Sequence, residues 1–413
     1  MLSKLKLLTT TATFRQSLVT VGSTVTSGIL GALFYFLLAR ILGSRDYGAF
    51  AAVAALVTML SSIFDLGTNQ GLVKFSGTDP VAKLALIIKL FSGGLAVALF
   101  LIFAPGIASF LLHQPTLTPL VRLAGLGIFS SLLFSFIYTL AQSRSQYFLW
   151  GGVYVGPNLL RLIVIIWLFF TLRLTSFSAL LVFTLAPFSA FLIGIFLTNR
   201  KFFSSRLSLP AAKHFFGFNQ WITASTIIAT LGSRIDTLLA VRLLNLSATG
   251  VYALAVQMIT ILPQITTALG AVTTPKFASF KTIADNRRYL GKTLVLSCSV
   301  ALGSACLLAP FAWLVVLLVG PQFRGAYLPF IILLVAMSLF LGSSPIRDSL
   351  MYYFGRPRFF FWLGLASLIA TVGLSLWLVP VWGIVGSAAV VLVIQIMSLV
   401  VSLAYYLYLS RRS

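Results

Sequence analysis

An apolar hairpin near the start of the chain limits what it can fold into. Residues 20–39 form one long apolar run and residues 49–64 a second, separated by Arg40-Ile-Leu-Gly43-Ser-Arg45-Asp46-Tyr47-Gly48. Each run approaches the roughly 20 apolar residues that carry a helix across a bilayer. A link this short permits only an antiparallel helical pair. The second run ends in Asp65-Leu-Gly67, followed by Lys74-Phe75.

The pattern returns about 200 residues later. Leu238-Leu-Ala240, Arg242, Leu244, Gly250, Tyr252-Ala253, Ile259 and Lys276-Phe277 repeat Leu37-Leu-Ala39, Arg40, Leu42, Gly48, Phe50-Ala51, Val57 and Lys74-Phe75, with a one-residue shift before the loop. A repeat at half the chain length indicates two copies of one bundle, not a stack of small units. Paired bundles in a membrane are the usual frame for alternating access about a central site.

Composition agrees. Of 413 residues, 59% are hydrophobic and 8% charged, against about 25% charged in soluble domains. The chain reads as an all-α integral membrane protein. It has no glutamate and six aspartates, against 29 Lys and Arg, for a net charge of +23. In a soluble chain that excess would suggest nucleic acid. Here the positive-inside rule and anionic headgroups account for it, so membrane lipids are expected partners and nucleic acid is not. Cys298 and Cys306 share one apolar segment and are expected to be small core residues. His113 and His214 read as surface residues, and no metal-ligand spacing or cofactor motif is present. No cleavable signal peptide is expected at the N-terminus.

Twelve helices are expected, over 17–39, 47–72, 81–103, 117–141, 147–172, 177–198, 215–241, 249–274, 293–319, 326–354, 358–378 and 383–409. They form two pseudo-symmetric six-helix lobes, 1–198 and 215–413, around a central cavity. The basic segment 199–214 joins them on the cytoplasmic side. With the N-terminus inside, 19 Lys/Arg fall in cytoplasmic segments and 5 outside, the expected sense. Both termini are therefore expected in the cytoplasm, with the protein multi-pass in the cell (inner) membrane. Pro157, Pro187, Pro263 and Pro345 are expected flex points or static kinks.

Charges inside the expected helices are candidate functional groups. Five are basic: Lys89, Arg122, Arg161, Arg234 and Arg347. Asp65, Asp236 and Asp348 are the acids on those helices. A charge at the bilayer centre costs about 2.5–3.5 kcal/mol or more, so the excess cations should face an internal wet cavity. Arg122 and Lys89 have a second option, snorkelling to the interfaces. Asp65 and Asp236 are candidates for conformational coupling or for static cross-helix pairs. No phosphate-binding glycine loop, nucleotide cassette or nucleophile elbow is present, so an ATP-driven pump is excluded. The Asn245-Leu-Ser247 triplet carries no weight as a glycosylation site.

The segment Phe36-Leu-Leu-Ala-Arg40-Ile-Leu-Gly43-Ser-Arg45-Asp46-Tyr47-Gly48, with Asp65-Leu-Gly67 after it, resembles the first hairpin of polysaccharide-unit flippases of the multidrug/oligosaccharidyl-lipid/polysaccharide exporter superfamily. The resemblance covers the whole chain in topology, and at residue level the first two expected helices and, more weakly, the seventh and eighth. It implies a transporter, not an enzyme, that moves a polyprenyl-diphosphate-linked oligosaccharide from the cytoplasmic to the outer leaflet. Other polysaccharide-assembly membrane proteins are candidate partners. A lipid II flippase of the superfamily usually carries two further helices. On this reading Arg161 and Arg234, with Arg122, Lys89 and Arg347 as lesser candidates, bind the diphosphate, because the planar guanidinium fork matches its oxygens. The alternatives are a drug or small-cation antiporter of the same superfamily and a membrane-embedded glycosyltransferase, polymerase or ligase. The antiporter would rely on intramembrane acids, which are few here. The enzyme would need a sizeable outer loop, and these loops are short.

Overall fold

The computed structural model describes residues 12–75, 77–206 and 209–412. The expectation placed on His214 concerns a side chain that is not among those described. Among the described residues there is no strand. The helices are α1 (Ala12–Phe64), α2 (Thr68–Lys74), α3 (Asp79–Gly106), α4 (Thr118–Ser143), α5 (Tyr147–Phe170), α6 (Ser176–Leu197), α7 (Lys201–Ser204), α8 (Leu209–Leu243), α9 (Leu246–Ile259), α10 (Ile261–Ser279), α11 (Ile283–Val319), α12 (Tyr327–Gly342), α13 (Ser344–Asp348) and α14 (Pro357–Arg412). All-helical structure is what lipid demands, because each backbone polar group must be satisfied within its own segment.

Nine helical stretches among the described residues are long and apolar enough to cross a membrane. Two of them hold a break at a glycine. α1 turns at Gly43 (φ 74°, ψ 175°) and α14 at Gly383 (φ 59°, ψ −135°). Both glycines occupy backbone conformations that side chains with a Cβ rarely adopt. The chain is a multi-pass membrane protein.

Three segment ends differ from the sequence expectation. The second half of α1 stops at Phe64, because Leu66 (φ 51°) and Gly67 (φ 70°) make a left-handed turn before α2. The helix expected over 249–274 divides at Thr260. Pro263 lacks an N–H and its ring crowds the carbonyl four residues back, which is Ile259. The helix expected over 326–354 divides in the same way before Pro345, into α12, α13 and a π-helical turn, Ser349–Tyr353. Pro157 and Pro187 stay inside the unbroken α5 and α6. The expectation for the cysteines is corrected: Cys298 and Cys306 are exposed on α11 instead of buried in the core. Asn245, in the sequon-like triplet, caps α9 by accepting from the Ala248 N–H at 2.8 Å.

The chain divides into two compact units. One comprises Met1–Leu42 and Ala49–Thr230, the other Gly43–Gly48 and Leu231–Ser413. The division falls inside α8 because the first part of that helix packs on the α1–α2 turn. A Cβ at Gly67 would lie 3.1 Å from the Thr223 hydroxyl and 3.3 Å from the Asn219 carbonyl. In the first unit α4 runs through the centre. A Cβ at Gly125 would lie 3.0 Å from the Val97 Cα on α3, and one at Gly127 would lie 2.8 Å from Thr184 on α6. Small residues at such crossings let helix backbones approach closely, the main source of attraction between helices in lipid. In the second unit Tyr47 meets Phe323 edge-on at 5.9 Å. Buried Asn286 and Ser349 exchange two hydrogen bonds of 3.0 Å.

Candidate functional site

The inward face of α5 carries Trp150, Tyr154, Asn158 and Arg161, spaced at i, i+4, i+8 and i+11. At 3.6 residues per turn these positions share one stripe. Phe148 (70% exposed) and Ile163 lie on the opposite side of the helix, exposed as lipid requires. Helix periodicity therefore turns the guanidinium of Arg161 toward α1 and α6.

Arg161 has no carboxylate partner among the described residues. It donates to the Asn158 side-chain oxygen at 3.1 Å and to the Phe183 carbonyl at 2.8 Å. Its guanidinium carbon lies 4.1 Å from the centroid of the Phe183 ring, within cation–π range. Its Nε is buried without an acceptor. Asn158 is fixed in turn by Ser27 of α1, donating to its carbonyl (3.1 Å) and hydroxyl (2.9 Å). Phe183 packs edge-on against Phe50 at 5.6 Å. These contacts fix the cation's place while its buried Nε–H has no acceptor.

Lys89 and Asp65 meet in the same unit. They form a buried ion pair, with Lys89 0% exposed. The ammonium also donates to Asn69 (3.0 Å) and Ser135 (2.8 Å). Asp65 accepts from the Thr68 hydroxyl (3.0 Å) and the Asn69 N–H (3.2 Å). Thr139 completes the network by donating to Asn69 at 3.1 Å. Lys89 therefore does not snorkel, and its donors are committed to the α1–α2 turn, α2 and α4 in this conformation. Removing one partner from such a pair strands a buried charge.

The second unit holds the other candidates. Asp236 accepts from the Tyr252 hydroxyl at 2.7 Å, and Arg234 beside it is half-buried. Arg347 donates to the Phe340 carbonyl at 2.8 Å and stacks on the same ring at 3.7 Å. That is the arrangement Arg161 makes with Phe183. Asp348 accepts from Thr273 at 2.9 Å. Arg122 is exposed in the first turns of α4, where a side chain can reach the interface.

A family model described as "Polysaccharide biosynthesis protein" matches residues 37–327. The chain belongs to the polysaccharide biosynthesis protein family. The matched region contains Asp65, Lys89, Arg122, Arg161, Arg234 and Asp236; Arg347 lies beyond it. No curated protein sequence matches the chain. Several solved structures share its fold. The lipid II flippase MurJ in an inward closed conformation superposes with a TM-score of 0.74 at 14% identity, over 96% of this chain and 87% of that one. An inward-facing multidrug resistance MATE family transporter of the MOP superfamily gives 0.67 at 15% identity, over 95% of both chains. A MOP superfamily transporter from Pyrococcus furiosus, described as having a binding pocket of reverse polarity, gives 0.58 at 14% identity, over 96% and 93%.

The fold read from the opening hairpin is thus the fold of this polysaccharide biosynthesis protein. Sequence reasoning reached the charged residues and missed their neighbours, Ser27, Asn158 and Phe183 around Arg161. The signal for Asn158 lay in the sequence as the four-position stripe on α5. Phe183 gave none, since it joins the site only through the packing of α6 on α5.

Proposed function

We propose that the protein is a flippase that moves polyprenyl-diphosphate-linked oligosaccharide units from the cytoplasmic to the outer leaflet by alternating access, for cell-surface polysaccharide synthesis. The observation that carries this reading is Arg161, inside a membrane unit with no carboxylate partner among the described residues and with an N–H unspent. A guanidinium so placed suits a diphosphate, which accepts several charge-assisted hydrogen bonds at once. Family membership supports a role in polysaccharide synthesis. The name of MurJ, a lipid II flippase, supports a lipid-linked substrate.

Arg161 is the primary diphosphate ligand. Arg234 and Arg347 serve the second unit, Arg122 anchors at the interface, and Lys89 acts through its pair with Asp65. Asp65 and Asp236 are the coupling candidates, because each acid is bonded across elements. Twelve segments span the inner membrane with both termini in the cytoplasm; the two glycine breaks and the length of α8 support that reading. Transport, not catalysis, is the activity.

The fold shared with a multidrug transporter favours drug or cation export as the second reading. Proteoliposomes loaded on one side with fluorescent polyprenyl-diphosphate oligosaccharide separate the readings. The first predicts transfer of the intact lipid between leaflets. Uptake of an organic cation without lipid transfer would establish the second, and a covalently altered glycan would establish an enzyme.

A further inference from the structure

A second feature of the α5 stripe is an aromatic cluster next to Arg161. Trp150 and Tyr154 stack at 5.1 Å with 11° between their planes. Tyr138 of α4 lies 5.3 Å from Trp150 and 5.4 Å from Tyr154, and Phe134 stacks on Tyr138 at 6.0 Å. Aromatic residues near a membrane interface usually form an outward belt. This group does not, because Tyr154 and exposed Ile163 are nine residues apart, half a rotation around the helix.

Its surroundings are polar, with charge from Arg161 and from the Lys89–Asp65 pair, whose ammonium reaches Ser135 at 2.8 Å. On α4, Ser131, Ser135, Tyr138 and Gln142 recur at i, i+4, i+7 and i+11. On α1, Ser27 donates to the Tyr154 carbonyl at 3.2 Å. Tyr138, Tyr154 and Asn158 are half-buried and reachable. Trp150 is 5% exposed and holds Tyr154 in orientation. The Trp150 indole N–H has no acceptor in hydrogen-bonding geometry, although the Tyr138 hydroxyl lies close by. Buried donors without partners are rare and call for a ligand or water. Two occur on this one helix face, at Trp150 and Arg161, about 16 Å apart along the axis.

We infer that this face is a carbohydrate subsite, taking the neutral sugar rings next to the diphosphate that Arg161 holds. The inference rests on the flippase reading above and names how that site recognises its glycan. A pyranose has an apolar C–H face and a rim of hydroxyls. Flat amphipathic rings beside amides and hydroxyls match both. Tyr154 and Tyr138 form the platform, Asn158 and Ser27 bond the rim, and Trp150 is a positioning residue. The roughly 10 Å rise from Arg161 to Tyr154 places the sugars on the cytoplasmic side of the diphosphate.

The test uses the full chain in nanodiscs and two probes, a short-chain prenyl diphosphate and the same molecule carrying N-acetylglucosamine. Calorimetry should show at least tenfold tighter binding of the glycosylated probe by the wild type. Tyr154→Leu and Tyr138→Leu should reduce that ratio to twofold or less and leave the bare probe's affinity unchanged. Tyr154→Phe should keep the ratio. Equal binding of both probes by the wild type, or an undiminished ratio in both leucine variants, overturns the subsite and leaves the flippase reading standing. Failure of the wild type to bind either probe overturns that reading itself. If the leucine variants do not fold, Trp150 emission, taken as the difference between wild type and Trp150→Phe, decides. A response to the glycosylated probe and none to the bare probe supports the subsite; equal responses overturn it.

Discussion

Gly48 and Gly250 occupy the same place in the two sequence repeats, and they pack directly on each other. A Cβ on Gly48 would lie 2.9 Å from the Gly250 nitrogen and strike the Leu246 carbonyl. One on Gly250 would lie 2.9 Å from the Gly48 nitrogen and strike the Ser44 carbonyl. Ser44 and Leu246 are also repeat equivalents, so the contact is reciprocal in the way a two-fold interface is. These glycines are kept small by backbone-to-backbone packing between α1 and α9.

Alanine at either position should therefore destabilise the protein by about 1–3 kcal/mol, as overpacking does. Gly94→Ala, where a Cβ meets nothing within 4 Å, serves as the control and should be neutral or mildly stabilising. Thermal unfolding in detergent, followed by size-exclusion fluorescence, would compare them. Equal melting of Gly48→Ala and Gly94→Ala would contradict the packing account.

Much of the fold was legible because lipid enforces simple rules. Apolar runs marked the spans, and the repeat marked the hairpins that carry Gly48 and Gly250. The internal breaks were harder to place. Pro263 and Pro345 announced a disturbance, but it falls two or three residues earlier, at Thr260 and Ser343, just after the crowded carbonyls of Ile259 and Leu341. Charged candidates were visible as residues and invisible as pairs. Lys89 and Asp65 are 24 residues apart, and nothing local links them. The second repeat makes the same point. Tyr35 and Phe50 lie 6.2 Å apart in the first repeat, and their counterparts Asp236 and Tyr252 share a hydrogen bond of 2.7 Å. One contact site thus carries an aromatic pair in one copy and a hydrogen-bonded pair in the other.

The Asp65–Lys89 pair should show strong non-additivity. Lys89→Met and Asp65→Asn alone should each cost about 3–5 kcal/mol by leaving a buried charge unpaired, while the double variant should recover most of that loss. A double-mutant cycle on unfolding free energy checks this. Transport by the refolded double variant then separates roles: wild-type rates would assign the pair to structure and remove Asp65 from coupling.

Topology gives an independent check on the charge count. Arg45→Cys, exposed in the α1 link, should react with an impermeant thiol reagent in intact cells. Ser145→Cys, exposed between α4 and α5, should be protected until the membrane is opened. These assays require a background lacking Cys298 and Cys306, since both are exposed. The reverse labelling pattern would invert the orientation and with it the direction of export.

The central claim is that the unspent guanidinium of Arg161 grips the substrate's diphosphate. Its most direct test is the initial rate of polyprenyl-diphosphate oligosaccharide transfer between leaflets in proteoliposomes containing Arg161→Ala or Arg161→Lys at matched protein density. The account predicts loss of at least tenfold in the alanine variant and partial activity in the lysine variant, which keeps a point charge and gives up the planar fork. Wild-type rates from Arg161→Ala, in protein that remains folded, would contradict it.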